Sequence, residues 1–224
     1  AEEITEDATF RVVKFDDPEG KEIFWHTSSH LMAAAIKELW PDAKFAIGPA
    51  VKDGFYYDID VEHRFVPEDL PKIEKKMLEL AKKDLKLDRK VISRQEALDY
   101  FTKEGQEYKV RLINDLPEDE VISIYDMGEG VFVDLCRGPH LLSTKTIKAV
   151  KLKSIAGAYW RGDSDNEMLQ RIYGISFEKK KQLDEYEELQ KEAQRRDHRK
   201  IGKEMGLFSF HEEAPGFPFF QGNG

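Results

Sequence analysis

The spacing of apolar residues changes several times along the 224-residue chain, and each change predicts an element. Residues 9–25 read as a β-hairpin, because "FRVVKF" and "EIFW" flank "DDPEGK", where Pro18 and Gly20 supply turn geometry. "TSSHLMAAAIKELW" reads as a helix, with Thr27 or Ser28 as its cap, alanines that favour it and Pro41 to end it. "KFAIGPAVKDGFYYDID" suits two short strands around Gly-Pro and Asp-Gly turns. The helical period returns in "VPEDLPKIEKKMLELAKKDLKLD", where Ile73, Met77, Leu80 and Ala81 form an apolar stripe. A third helix is expected over "SRQEALDYFTKEG": Ser93 caps it, Glu96 completes a capping box and Gly105 stops it. "QEYKVRLI" reads as a strand, as do "VISIYDM", "GVFVDLC" and "KAVKLKSIAG". Residues 175–203 read as one long charged helix, mixed in sign first and then basic through Arg195, Arg196, Arg199, Lys200 and Lys203. Helices and short strands mix without a βαβ rhythm, which predicts an α+β fold with a mixed or antiparallel sheet packed with helices.

Composition narrows the class. Apolar residues make up 40% and charged residues 35%, as in a globular protein with solvated helix faces. No apolar run approaches the ~18 residues of a membrane helix, so no membrane partner is expected. The first residues, "AEEITEDATF", lack a basic-then-apolar signal pattern, and a cytoplasmic location is expected. The single cysteine, Cys136, cannot form an internal disulfide and suits a reducing compartment. A net charge of −9 argues against a broad electrostatic grip on nucleic acid but leaves room for the local basic stripe at the end of the long helix.

Chemistry concentrates in two pairs of equal spacing: His26 and His30 in "FWHTSSHLMAA", and Cys136 and His140 in "FVDLCRGPHLL". On a helix, the i,i+4 spacing puts two rings on one face, ~5–6 Å apart at Cβ. If Thr27 caps the helix, His26 lies just before it and the pair shares a face only loosely. The same spacing serves zinc sites, but Thr27 stands where a zinc peptidase carries glutamate, which argues against peptidase chemistry. Gly138 and Pro139 enforce a turn between Cys136 and His140. Together the four side chains offer three imidazoles and a thiol, a metal-binding or hydrolytic set. Alone, a histidine pair is more commonly a pair of buried, hydrogen-bonded rings, and a lone cysteine a buried thiol. From spacing alone, one shared site and two unrelated pairs stay equally open. Asp134, two residues before Cys136, would face the same way on a strand, and Lys109 is a candidate cation or an ordinary solvated lysine. Tyr57 and Asp58 could line a pocket or an edge strand. Tyr159, Trp160 and Arg161, beside glycines in "AGAYWRGDSDN", suit stacking on a base and gripping phosphate, or a packed turn.

The stretches "HTSSH", "KFAIGPAVKDGFYYDID", "YKV", "DLCRGPH", "AGAYWRGDSDNEMLQRIYG" and "RDHRKIGK" closely resemble bacterial-type threonyl-tRNA synthetases, from about residue 22 to the end of the chain. The resemblance implies that residues 1–21 are an N-terminal segment and hairpin start, with the family's ubiquitin-like domain expected to be absent except as a remnant in residues 1–20. It implies an editing (second additional) domain over 22–174, of the kind shared by threonyl- and alanyl-tRNA synthetases. A linker helix over 175–203 and the beginning of a class II aminoacylation core over 204–224 would follow. The implied reaction is hydrolysis of seryl-tRNA(Thr) formed in error, which releases serine. Serine differs from threonine by one methyl, worth only ~1–3 kcal/mol of discrimination, so a second hydrolytic site must remove the mistake.

By the same resemblance, His26, His30, Lys109, Asp134, Cys136 and His140 line the cleft that receives the aminoacylated 3′ adenosine of tRNA(Thr). His140 or His26 would position the water, Lys109 would stabilise charge, Asp134 would hold the substrate's amino group and Cys136 would shape the pocket. Tyr57, Asp58, Tyr159, Trp160 and Arg161 would contact substrate. Editing would need no cofactor. Zinc on His26, His30, Cys136 and His140 stays open as an alternative, because such ligands hold zinc in the related alanyl-tRNA synthetase domain. ATP, Mg2+ and a further zinc belong to the full-length enzyme, expected as a homodimer, while this piece is expected as a monomer that neither activates threonine nor uses ATP. Competing expectations are a free-standing trans-editing hydrolase, a non-catalytic tRNA-acceptor or zinc-binding module, and an unrelated metallohydrolase.

Overall fold

Pro18–Leu39 form one helix, α1, and not the hairpin that the turn residues suggest. Pro18 occupies the first helical positions, where its fixed φ suits a helix start and its missing N–H costs nothing. Gly20 is required for close approach: a Cβ there would run into the Lys14 carbonyl, because the incoming chain crosses over the first turn. Phe24 and Trp25, expected on a strand, are buried, and Phe15 meets the Phe24 ring edge-on at 4.8 Å. Thr27 and Ser28 lie inside the helix instead of capping it. Their hydroxyls donate to the carbonyls of Ile23 and Phe24 at 2.8 and 2.9 Å. From Thr27 to Ile36 every residue is buried, so this stretch is covered on all sides.

The structure is a computed structural model that describes residues 11–196 and the backbone of residues 208–209 and 219–220. The first sheet comprises β1 (Lys44–Phe45), β2 (Ala50–Val51), β3 (Gly54–Asp60), β7 (Ala149–Tyr159) and β8 (Met168–Phe177). Its order is β1-β3-β8-β7, with β2 folded back on β3. β8 carries no simple alternation and escapes the sequence pattern. The second sheet is β4 (Leu87–Val91), β5 (Ser123–Met127) and β6 (Phe132–Leu135). Every pairing in both is antiparallel, so the α+β expectation holds with an antiparallel sheet.

α1 packs on β3, β2 and β8 of the first sheet, on β6 of the second, and on α2 (Leu70–Lys82). α2 buries the expected stripe of Ile73, Met77, Leu80 and Ala81, with Leu70. α3 (Arg94–Lys103) has the capping box of Ser93 and Glu96, and Gly105 follows it at φ +67°. The "QEYKVRLI" strand is instead a helix, α4 (Glu107–Asp115), whose buried residues Tyr108, Lys109 and Ile113 lie on the face turned inward. Ala97 and Phe101 of α3, Ile113 of α4, and Ile122 and Ile124 share one core.

The chain divides into two units after Lys179. In the second unit α5 (Lys180–Arg195) has no buried residue, and β9 (Phe208–Ser209) pairs with β10 (Phe219–Phe220). The helix expected over 175–203 therefore starts later, because residues 175–177 complete β8. Arg199, Lys200 and Lys203 lie outside the described residues. No helix among the described residues is long and apolar enough to cross a membrane.

Candidate functional site

α1 delivers His26 and His30 from consecutive turns of one face, with ring centroids 5.1 Å apart. The segment leaving β6 delivers Cys136 and His140. Gly138 turns that segment at φ +76°, and a Cβ there would run into the Tyr125 ring. The His140 ring settles 4.1 Å from His26, 4.2 Å from His30 and 4.4 Å from Tyr125. Cys136 Sγ lies 3.4 Å from His26 Nε2 and 3.1 Å from His140 Nε2, and it accepts the Gly138 N–H at 3.2 Å. One donor atom from each of the four residues falls within 4.8 Å of all the others. The two equally spaced pairs are thus halves of one cluster.

Behind the cluster is a buried charge pair. Asp134 faces inward from β6, and Lys109 reaches it from α4; they are 2% and 3% exposed, so neither charge has solvent to fall back on. The ammonium meets Asp134 Oδ1 at 2.5 Å as an ion pair. It also donates to the Ala46 carbonyl at 2.8 Å and to the Tyr57 hydroxyl at 3.0 Å. Asp134 Oδ1 is buried without a hydrogen-bond donor and is met by the ammonium through the charge contact alone. Tyr57 passes its own proton to Asp134 Oδ2 at 2.5 Å, and His30 Nε2 lies 3.2 Å from that same oxygen. Lys109, expected on a solvated strand or as a free cation, is a buried helical residue committed to Asp134.

Burial sets the protonation states. It lowers the proton affinity of His26, which Asp134 only partly restores. It lowers His30 far more, with further depression by His26 and Lys109. His140 is depressed by burial and then by its two histidine neighbours. Burial, followed by Asp134, pushes the Cys136 thiol up to about 12. Burial and Asp134 likewise push the Tyr57 phenol well above its ordinary value. At neutral pH the cluster is therefore three neutral imidazoles and a protonated thiol beside one compensated ion pair. Neutral imidazoles can take a proton from water or bind a metal; the protonated thiol is a poor nucleophile.

The remaining expected residues have other partners. Asp58 shares β3 with Tyr57 but projects from the opposite face, where Arg171 grips it through two contacts of 2.6 and 2.8 Å. Trp160 is buried with Ala46, Tyr108 and Leu169. Arg161 pairs with Asp115, and Tyr159 is 40% exposed, as a surface contact would require. The sequence pattern suggests Thr27 as a cap and does not reveal its part in the cluster: fully buried, it accepts the Leu141 N–H at 2.9 Å and touches His140 Nδ1 at 3.2 Å. Its signal was present as the side chain beside His26 where a zinc peptidase has glutamate.

The family described as "Threonyl and Alanyl tRNA synthetase second additional domain" matches residues 122–173, a span that contains Asp134, Cys136 and His140. Over that span the chain is similar to a tRNA-synthetase second additional domain, and the antiparallel α+β fold is consistent with one. Similarity extends well beyond that span. The chain is 65% identical, over its whole length, to a threonine–tRNA ligase of Finegoldia magna, of which it spans 35%. It is 61% identical over 97% of its length to the ligase of Clostridioides difficile, and 56% over 99% to that of Caldanaerobacter subterraneus, spanning 34% of each. Over its whole length the chain is thus similar to bacterial threonine–tRNA ligases, and it spans about a third of the length of the relatives it matches.

Proposed function

We propose that this chain is the editing part of a threonine–tRNA ligase and hydrolyses seryl-tRNA(Thr) to serine and tRNA(Thr). The observation that carries the reading is the convergence of His26, His30, Cys136 and His140 against the buried Lys109–Asp134 pair. Hydrolysis of the ester needs a water oxygen to attack the seryl carbonyl carbon. The bond from that carbon to the ribose oxygen then breaks, and the ribose oxygen takes up a proton. A neutral imidazole, His140 or His26, is the base that accepts the water's proton and can return it to the leaving oxygen. Cys136, held as a thiol, shapes the pocket. Lys109 is buried against Asp134, so its part is to hold Asp134, which in turn orients His30 and Tyr57. Asp58 fits a structural role better than a substrate contact. Tyr159, with Arg161 beside it, remains the proposed grip on the acceptor end.

The donor set also fits a metal. Three imidazole nitrogens and one sulfur within 4.8 Å of one another match a tetrahedral zinc site, held by His26, His30, Cys136 and His140. Zinc bound there would supply charge that deprotonates the thiol. Four protein donors fill a tetrahedral ion and leave no position for water, so a fully liganded ion and the hydrolytic cluster are alternative uses of these side chains. In the longer protein, threonine would be joined to tRNA(Thr) with ATP by regions outside this chain, in the cytoplasm.

The test is single-turnover release of serine from seryl-tRNA(Thr) at saturating protein, with threonyl-tRNA(Thr) in parallel. The chain is expected to hydrolyse the seryl ester and spare the threonyl ester, and His140→Ala to lose the activity. Survival of both esters at saturation overturns the reading and leaves a binding module.

A further inference from the structure

We infer that Thr27 is a positioning residue: its hydroxyl holds His140 in the Nδ1–H tautomer and so aims an unprotonated Nε2 into the cluster. Three groups surround the Thr27 oxygen. The Leu141 N–H, at 2.9 Å, can only donate. The Ile23 carbonyl, at 2.8 Å, can only accept and is the nearest acceptor for the hydroxyl proton. The oxygen then has one lone pair left, and His140 Nδ1 lies on it at 3.2 Å, so Nδ1 carries the proton. A neutral imidazole has one N–H, which leaves Nε2 with a free lone pair. That nitrogen faces Cys136 Sγ at 3.1 Å, where a thiol proton finds its acceptor. The polarity runs one way, from thiol to imidazole to hydroxyl to the Ile23 carbonyl of α1. Thr27 is fully buried, so no water competes for these positions.

The same hydroxyl sets the position of the ring as well as its tautomer. Leu141 directly follows His140, and its N–H is pinned to α1 through Thr27. Serine keeps the oxygen and so keeps both functions. Valine keeps the shape of threonine but leaves the Leu141 N–H without its partner and His140 without a reason to prefer Nδ1–H.

The catalytic consequence rests on the hydrolytic reading of the site; the tautomer does not. The experiment is therefore 15N NMR of the histidine side chains in the whole chain, with His140 assigned through His140→Gln, alongside single-turnover hydrolysis of seryl-tRNA(Thr). His140 should show Nδ1–H in the parent and in Thr27→Ser, and should move towards Nε2–H in Thr27→Val. Hydrolysis should fall by about tenfold or more in Thr27→Val and recover in Thr27→Ser, the size typical of losing a residue that orients a functional histidine. An Nε2–H signal in the parent, or an unchanged tautomer in folded Thr27→Val, overturns the inference. Should the valine variant fail to fold, Thr27→Ala supplies the same comparison, and an Nε2–H signal in the parent still overturns the inference. If the tautomers behave as expected while the parent leaves seryl-tRNA(Thr) intact, Thr27 keeps its role and the hydrolytic reading falls.

Discussion

Lys109 shows how one residue type changes meaning with its surroundings. A lysine in "QEYKVRLI" is ordinary on a surface; 3% exposed against Asp134, it is half of a pair that neither partner can leave. Removing one member of a buried ion pair strands the other charge, at a cost of about 3–5 kcal/mol. Lys109→Met is expected to lose stability of that order in urea unfolding, and the double variant Lys109→Met with Asp134→Asn to regain most of it. A single-variant loss below about 1 kcal/mol would mean that the pair does not hold the site together.

The elements differ in how plainly the sequence announces them, and the reasons are physical. α2 and α3 are legible because their signals are local: Ile73, Met77, Leu80 and Ala81 recur at helical spacing, and Ser93 with Glu96 closes a box within one turn. The start of α1 is not, because Asp17, Pro18 and Gly20 are turn residues by composition, and only the crossing of Lys14 over Gly20 reveals what the glycine is for. α4 looks like a strand because Tyr108, Val110 and Leu112 alternate with charge, and its identity is decided by burial of Tyr108, Lys109 and Ile113 on one helical face. In the cluster, the two spaced pairs could be read, but their convergence could not, since His26 and Cys136 lie 110 residues apart. The sequence marks Thr27 as a candidate cap and as the residue in the glutamate position, but its role was not legible, because it lies in which atoms it bridges. A further element-level contact is testable. Gly48, in the turn before β2, lies so close to the Tyr57 ring that an added Cβ would overlap it. Gly48→Ala should displace Tyr57 from Asp134 and lower seryl-ester hydrolysis.

At the scale of the molecule, the buried imidazoles couple stability to acidity. His26, His30 and His140 all have folded proton affinities below the ordinary imidazole value near 6.5. Below that pH the unfolded chain takes up protons that the folded chain refuses, so stability is complete above it and declines as pH falls towards the depressed values. The slope is up to about 1.4 kcal/mol per pH unit for each histidine. Urea midpoints should therefore drop steadily between pH 7 and 5, and more gently in His30→Gln. A flat profile would show that the rings are hydrated and not buried.

The wide separation of the two histidine–cysteine segments has one more consequence. Neither α1 nor the β6 segment contains a functional unit by itself, and no short-range structure can bring them together. The chemistry therefore appears only in molecules that have completed their tertiary assembly. If the cluster is the hydrolytic site proposed above, turnover per chain would count native molecules directly, because misfolded chains would hold only half of it.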